Sequence, residues 1–125
     1  MINILVVDDE FEILDTCVNY LTNLGHNVRG ANNSKEAFKL LGEFKPDIAI
    51  LDINLKERYN GLDVLKKTLE LYPKVKTIMF TGLTTDIEVK EAMSIGATMT
   101  IRKPVKIDIL AKAISDLYTN GRLNL

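Results

Sequence analysis

The sequence is poor in cysteine. Cys17 is the only one in the 125 residues, so no intrachain disulfide can form. It is poor in net charge as well: the formal balance is −1, and no segment carries a dense Lys/Arg stripe. That excludes the usual electrostatic footprint of a nucleic-acid-binding surface in this chain. No apolar run is long enough to cross a bilayer. Met1 passes at once into strand-like sequence, unlike a secretory leader. No tract is of low complexity. A chain of this length buries roughly two-thirds of its unfolded surface, so it needs neither disulfide nor structural metal to fold. These features predict a cytoplasmic protein without a membrane partner, folded as one domain over residues 1–125 with its core at about 2–118.

Two kinds of segment alternate along the chain. Ile2 to Val7 is a continuous run of branched apolar residues ending in Asp8-Asp9, as in a strand buried on both faces. From Glu12 to Leu24, apolar residues recur at helical spacing (Ile13, Leu14, Cys17, Val18, Leu21, Leu24) until Gly25 stops the helix. His26 to Ala31 predicts a short strand. Asn33 with Glu36 resembles a capping box, opening a helix with Ala37, Leu40, Leu41 and Phe44 on its inner face. After Pro46, Asp47 to Asp52 is a second buried strand. A polar loop, Asn54 to Asn60, leads to a helix from Gly61 or Leu62 to Leu71. Val75 to Phe80 predicts the fourth strand, Thr85 with Glu88 another capping box, Gly96 a helix end, and Thr98 to Ile101 the fifth strand. Ile107, Leu110, Ile114 and Leu117 line the last helix. Five strands alternating with five helices predict an α/β fold, a parallel sheet covered on both faces.

In such sheets ligands sit beyond the carboxyl ends of the strands. Those ends carry Asp8-Asp9, Asp52, Thr81-Gly82 and Lys103-Pro104. Taken singly, each acid is an ordinary solvated side chain, Thr81 a turn residue and Lys103 a surface charge. Gathered on one edge they make a cleft of three carboxylates, a hydroxyl and an ammonium. Two carboxylates about 5 Å apart repel by roughly 3 kcal/mol at an effective dielectric of 20. Lys103 offsets part of this, and a divalent cation would offset more. An oxygen-only donor set selects Mg²⁺ or a similar hard cation such as Mn²⁺. Positioning and charge neutralisation are what phosphoryl transfer needs.

The segments LVVDDE, AILD, FTG and IRKP resemble the signature of the receiver domains of two-component response regulators, over nearly the whole chain from Ile2 to about Tyr118. The resemblance implies a flavodoxin-like (βα)5 doubly wound sheet of order 2-1-3-4-5. It implies Asp52 as phosphoacceptor and Thr81 and Lys103 as contacts of the phosphoryl group. Mg²⁺ would be held by Asp9 directly and by Asp8, often through water, with Asp52 and the backbone carbonyl of Asn54 also in the metal site. It implies a signalling domain that promotes only its own phosphorylation and dephosphorylation, not an enzyme acting on other molecules. The implied partners are a sensor histidine kinase or histidine phosphotransfer protein, a downstream target or output domain, and a second copy in a phosphorylation-dependent dimer. It also implies a cis peptide at Lys103-Pro104.

The chain departs from the family pattern in three places. The loop from Ile53 to Asn60 has no proline and is one residue longer. Asn54 and Leu83 flank the opening where water would reach an acyl phosphate. Thr100 stands where an aromatic ring is usual. Two alternatives are set beside this reading. One is a phosphorylation-independent interaction module on the same fold, against which the full set of acids and the lysine speaks. The other is a phosphatase of the haloacid-dehalogenase type, which needs Asp and Thr where this chain has Asn54 and Lys56. His26 and the Lys56-Glu57-Arg58 run are expected to be surface features, and Cys17 a buried inert thiol.

Overall fold

A computed structural model describes residues 2–56, 59–82, 85–119 and 122–123, the side chains of the last three of these (119, 122 and 123) excepted. The order is β1 (Asn3–Val7), α1 (Phe11–Asn23), β2 (Asn27–Ala31), α2 (Ser34–Glu43), β3 (Ile48–Asp52), α3 (Gly61–Leu71), β4 (Lys76–Thr81), α4 (Asp86–Ile95), β5 (Met99–Arg102) and α5 (Ile107–Leu117). The strands pair in parallel in the order β2-β1-β3-β4-β5. Both the alternation and the implied order therefore hold.

Side-chain alternation along the three central strands divides the core in two. Leu5, Val7, Ala49, Leu51 and Met79 face one side, against Ala37 and Leu41 of α2, Val64 and Leu65 of α3 and Ala92 of α4. Ile4, Val6, Ile48, Ile50, Ile78 and Phe80 face the other, against Leu14, Cys17 and Leu21 of α1 and Leu110, Ala113 and Ile114 of α5. This is why β1 and β3 read as unbroken apolar runs: both faces are covered. Fully burying one such side chain stabilises the fold by about 1.5–3 kcal/mol, so the centre of the sheet is its most rigid part. The edge strands are more exposed, with Arg29 and Gly30 of β2 and Arg102 of β5 open to solvent.

Several boundaries differ from the sequence expectation. α1 begins at Phe11, because the Glu10 carbonyl already accepts the Leu14 N–H at 3.0 Å. β4 and β5 each lie one residue later than expected, which brings Thr81 and Arg102 into the ladder as a register pair. Thr85 and Glu88 form the expected capping box. At α2 one half of the expected box is present, Asn33 accepting from the Glu36 N–H at 2.8 Å. An unforeseen full box opens α3, between Asn60 and Asp63. His26 is half-buried rather than on the surface, its Nδ1 accepting from the Ile2 N–H at 3.4 Å, and burial lowers its pKa. Cys17 is buried, as expected, and burial pushes its thiol up to about 11. After α5, two short strands, β6 (Tyr118–Thr119) and β7 (Arg122–Leu123), form an antiparallel pair that periodicity does not foretell. No helix among the described residues is long and apolar enough to cross a membrane.

Candidate functional site

The parallel order delivers the ends of β1, β3, β4 and β5 to one edge. Asp8 follows β1 directly. Its N–H donates to the Ala31 carbonyl at 3.1 Å, which ties it to the end of β2. It is fully buried, and its Oδ1 accepts from the Glu10 N–H at 2.9 Å. Asp52 closes β3 and is also buried; its Oδ1 accepts from the Asn54 N–H at 3.1 Å. Asp9 is half-buried and its Oδ2 accepts from the Lys56 N–H at 3.3 Å, so it tethers the loop after β3.

Lys103 enters from the end of β5. Its backbone N–H donates to the Thr81 carbonyl at 2.7 Å, and its peptide bond to Pro104 is cis, as implied. Its Nζ lies 2.9 Å from Glu10 Oε1, 3.0 Å from Asp8 Oδ2 and 3.1 Å from Asp52 Oδ2. Burial pulls the ammonium pKa down, but the carboxylates of Glu10, Asp8 and Asp52 beside it outweigh that and raise it overall. Asp8 behaves oppositely. Burial raises its carboxyl from 3.8 to about 6, the Glu10 N–H and Lys103 pull it back in part, and Asp52 raises it further.

An open cleft lies above these groups, lined by Asp9, Glu10, Asp52, Asn54, Lys56, Gly82 and Lys103 among others. Asp8 and Thr81 are buried at its edge rather than on its wall. A second groove, with Pro46, Leu71, Tyr72 and Pro73 in its lining, sits at the amino-terminal edge of the sheet, away from the acids. Asp8, Asp9, Glu10 and Asp52 each offer an oxygen, all within 4.8 Å of one another. Asp8 Oδ2, although beside Lys103, lacks hydrogen-bond geometry; among the described residues it is the one buried side-chain polar atom without such a bond. A buried oxygen left this way, in an all-oxygen set, fits a hard cation.

Asp8, Asp9, Asp52, Asn54, Thr81 and Lys103 are thus brought to one edge. Leu83, Thr84, Glu57 and Arg58 lie outside the described residues. Sequence reasoning missed two participants. Glu10, the third acid of Asp8-Asp9-Glu10, turns its carboxylate back onto Lys103 instead of facing solvent alone. Gly61 was read only as a helix start, yet it packs on the Asp52 backbone: a Cβ there would meet the Asp52 carbonyl oxygen, with the carbonyl carbon 2.7 Å away.

Residues 4–115 match the family described as response regulator receiver domain. The chain is 33% identical over 119 residues to the response regulator SaeR of Staphylococcus aureus, covering 95% of this chain and 51% of that protein. It is 36% identical over 104 residues to SaeR of Staphylococcus epidermidis, covering 83% and 44%. The chain therefore spans about half the length of these curated relatives. Among solved structures, a CheY-like receiver domain protein from Methanospirillum hungatei superimposes with TM-score 0.87 at 30% identity, covering 92% of this chain and 91% of that one. A Burkholderia pseudomallei response regulator, solved with a phosphorylated aspartic acid, a calcium ion and citrate, gives 0.83 at 28%, covering 97% and 69%.

Proposed function

We propose, from the premise that this chain belongs to the response regulator receiver domain family, that Asp52 accepts a phosphoryl group and that the modification switches a protein-binding surface. The observation that carries this reading is the meeting of Lys103 with Asp52 and Asp8 in an oxygen-only cleft where one buried Asp8 oxygen lacks a hydrogen bond. The Burkholderia relative, with its phosphorylated aspartic acid and calcium ion, supports it.

In this reading a carboxylate oxygen of Asp52 attacks phosphorus. The bond from phosphorus to the donor breaks, and its electron pair leaves with an imidazole nitrogen of a histidine kinase or phosphotransfer protein, or with acetate from acetyl phosphate. No proton need move in the attack. The Asn54 N–H and Lys103 hold the two Asp52 oxygens and fix the angle of approach. Bound by Asp8, Asp9, Asp52 and the Asn54 carbonyl, Mg²⁺ or Mn²⁺ would neutralise the carboxylates and the phosphoryl oxygens. Thr81 and Lys103 contact the phosphoryl group, and Asn54 sits where it bears on attacking water. Residues 2–118 form the receiver core, the protein works in the cytoplasm, and the modification is read by a downstream target, an output domain or a second copy.

The test is intact mass after incubation with Mg²⁺ and acetyl phosphate. The wild type gains one phosphoryl group and Asp52→Asn gains none; equal labelling would remove Asp52 from its role. A second expectation concerns the readout. Thr100 is half-buried and pairs with Met79 in the ladder. It is too small to fill the space that an aromatic ring would take up. On adding beryllofluoride, a phosphoryl mimic, amide shifts should concentrate in the loop after β4 and the start of α4, with small ones at 99–101. Thr100→Tyr should enlarge the response of that outer face. A dominant response at 99–101 in the wild type would sink the idea.

A further inference from the structure

An ammonium has three hydrogens to donate. Lys103 Nζ has three carboxylate oxygens about it, Glu10 Oε1 at 2.9 Å, Asp8 Oδ2 at 3.0 Å and Asp52 Oδ2 at 3.1 Å. Two of them, Glu10 Oε1 and Asp52 Oδ2, accept hydrogen bonds from it, and a phosphoryl oxygen entering this crowded shell competes with the carboxylates for the ammonium. The three are unequal. The side chain of Asp8 is 0% exposed and that of Asp52 3%, so releasing either strands a carboxylate out of water, whereas that of Glu10 is 59% exposed. Water receives the Glu10 carboxylate at little cost. Its backbone, by contrast, is fixed on both sides, the N–H by Asp8 Oδ1 and the carbonyl by the Leu14 N–H. Only the side chain is free to swing.

We infer that Glu10 is the exchangeable counter-ion of Lys103, a positioning residue that holds the ammonium over Asp52 in the unmodified protein and yields it to a phosphoryl oxygen. The inference rests on the reading of Asp52 as phosphoacceptor. It makes Glu10 a competitor of the phosphoryl group: the carboxylate preorganises Lys103, and binding the anion means breaking that pair.

The experiment is titration with beryllofluoride in Mg²⁺, and with Mg²⁺ alone, followed by amide shifts in wild type, Glu10→Gln and Glu12→Gln. Glu12 is an exposed acid in the first turn of α1 and controls for the loss of one charge nearby. Glu10→Gln should bind beryllofluoride about two- to fivefold more tightly, the range for an ion pair with an exposed partner; Glu12→Gln should stay close to wild type. Mg²⁺ affinity should change alike in both variants. In wild type the Glu10 side-chain carboxyl carbon should shift toward its free-solution value as beryllofluoride binds, a movement that a purely structural role would not produce. Unchanged or weaker beryllofluoride binding by Glu10→Gln would overturn the inference. So would a loss of Mg²⁺ affinity far beyond that of Glu12→Gln, which would make Glu10 a metal ligand. No beryllofluoride binding by the wild type would instead overturn the phosphoacceptor reading beneath it.

Discussion

Gly61→Ala is expected to lower stability by about 3 kcal/mol, near the upper end for forced overpacking. For a domain of this size that corresponds to roughly 10 °C in melting temperature. Gly61 is buried at the first position of α3, and its N–H donates to the Ile53 carbonyl at 3.0 Å. A Cβ on it would meet backbone, with the Asp52 carbonyl carbon and the Ile53 Cα both at 2.7 Å. Backbone cannot rotate away as a side chain would. Either α3 backs off β3 or the end of β3 shifts, and Asp52 shifts with it. The variant should therefore lose phosphorylation by acetyl phosphate even below its melting temperature. Gly42→Ala is the contrast: nothing lies within 4 Å of a Cβ there. Being within α2, it should gain about 0.5–1 kcal/mol. Thermal unfolding of both checks the pair; equal small effects would show that α3 yields easily at Gly61.

Asp8→Asn should stabilise the metal-free protein by about 1–2 kcal/mol at pH 8 and destabilise it relative to wild type in saturating Mg²⁺. Burial lifts the Asp8 carboxyl from 3.8 to about 6, so the folded protein holds this proton more tightly than the unfolded chain. Its contribution is fully present below about pH 4 and is lost as pH rises through about 6. The whole shift corresponds to about 3 kcal/mol. Asparagine recovers less, because with its oxygen kept on the Glu10 N–H its amide NH2 stands where Asp8 Oδ2 now faces the Lys103 ammonium. Without metal, wild-type stability should thus fall between about pH 4 and 6 relative to the variant. Mg²⁺ reverses the order, since an ion that binds only the native state stabilises in proportion to its occupancy, and Asp8→Asn removes a donor. Denaturant unfolding at pH 5 and pH 8, with and without Mg²⁺, checks both signs. A variant no more stable than wild type at pH 8 would show that Lys103 already compensates Asp8.

Strand existence was legible because β1 and β3, two of the three central strands, are covered on both faces. That writes their burial as uninterrupted apolar runs, Ile4 to Val7 and Ile48 to Leu51. The site was legible because parallel strands all point one way, so the residues that follow them must meet. What was hidden depends on approach rather than pattern. Gly61 looks like any helix-opening glycine until the Asp52 backbone lies against it. Glu10 looks like the exposed first residue before a helix until Lys103, distant in sequence, arrives beside it. His26 opens a short strand in the sequence, and only the pairing of β1 with β2 brings the Ile2 N–H to its ring.

The distances along the chain between these partners have a consequence for how the protein is made. Lys103 stands 51 residues after Asp52 and 93 after Glu10. On a ribosome the acids emerge well before their cation, and β1, β3 and β4 can assemble while the end of β5 is still unmade. Through that interval the edge of the sheet carries uncompensated negative charge, which opposes closure of the last layer until Lys103 docks against the Thr81 carbonyl. The cleft thus depends on the last strand of the sheet to be made, since the cation that offsets its acids comes from the end of β5.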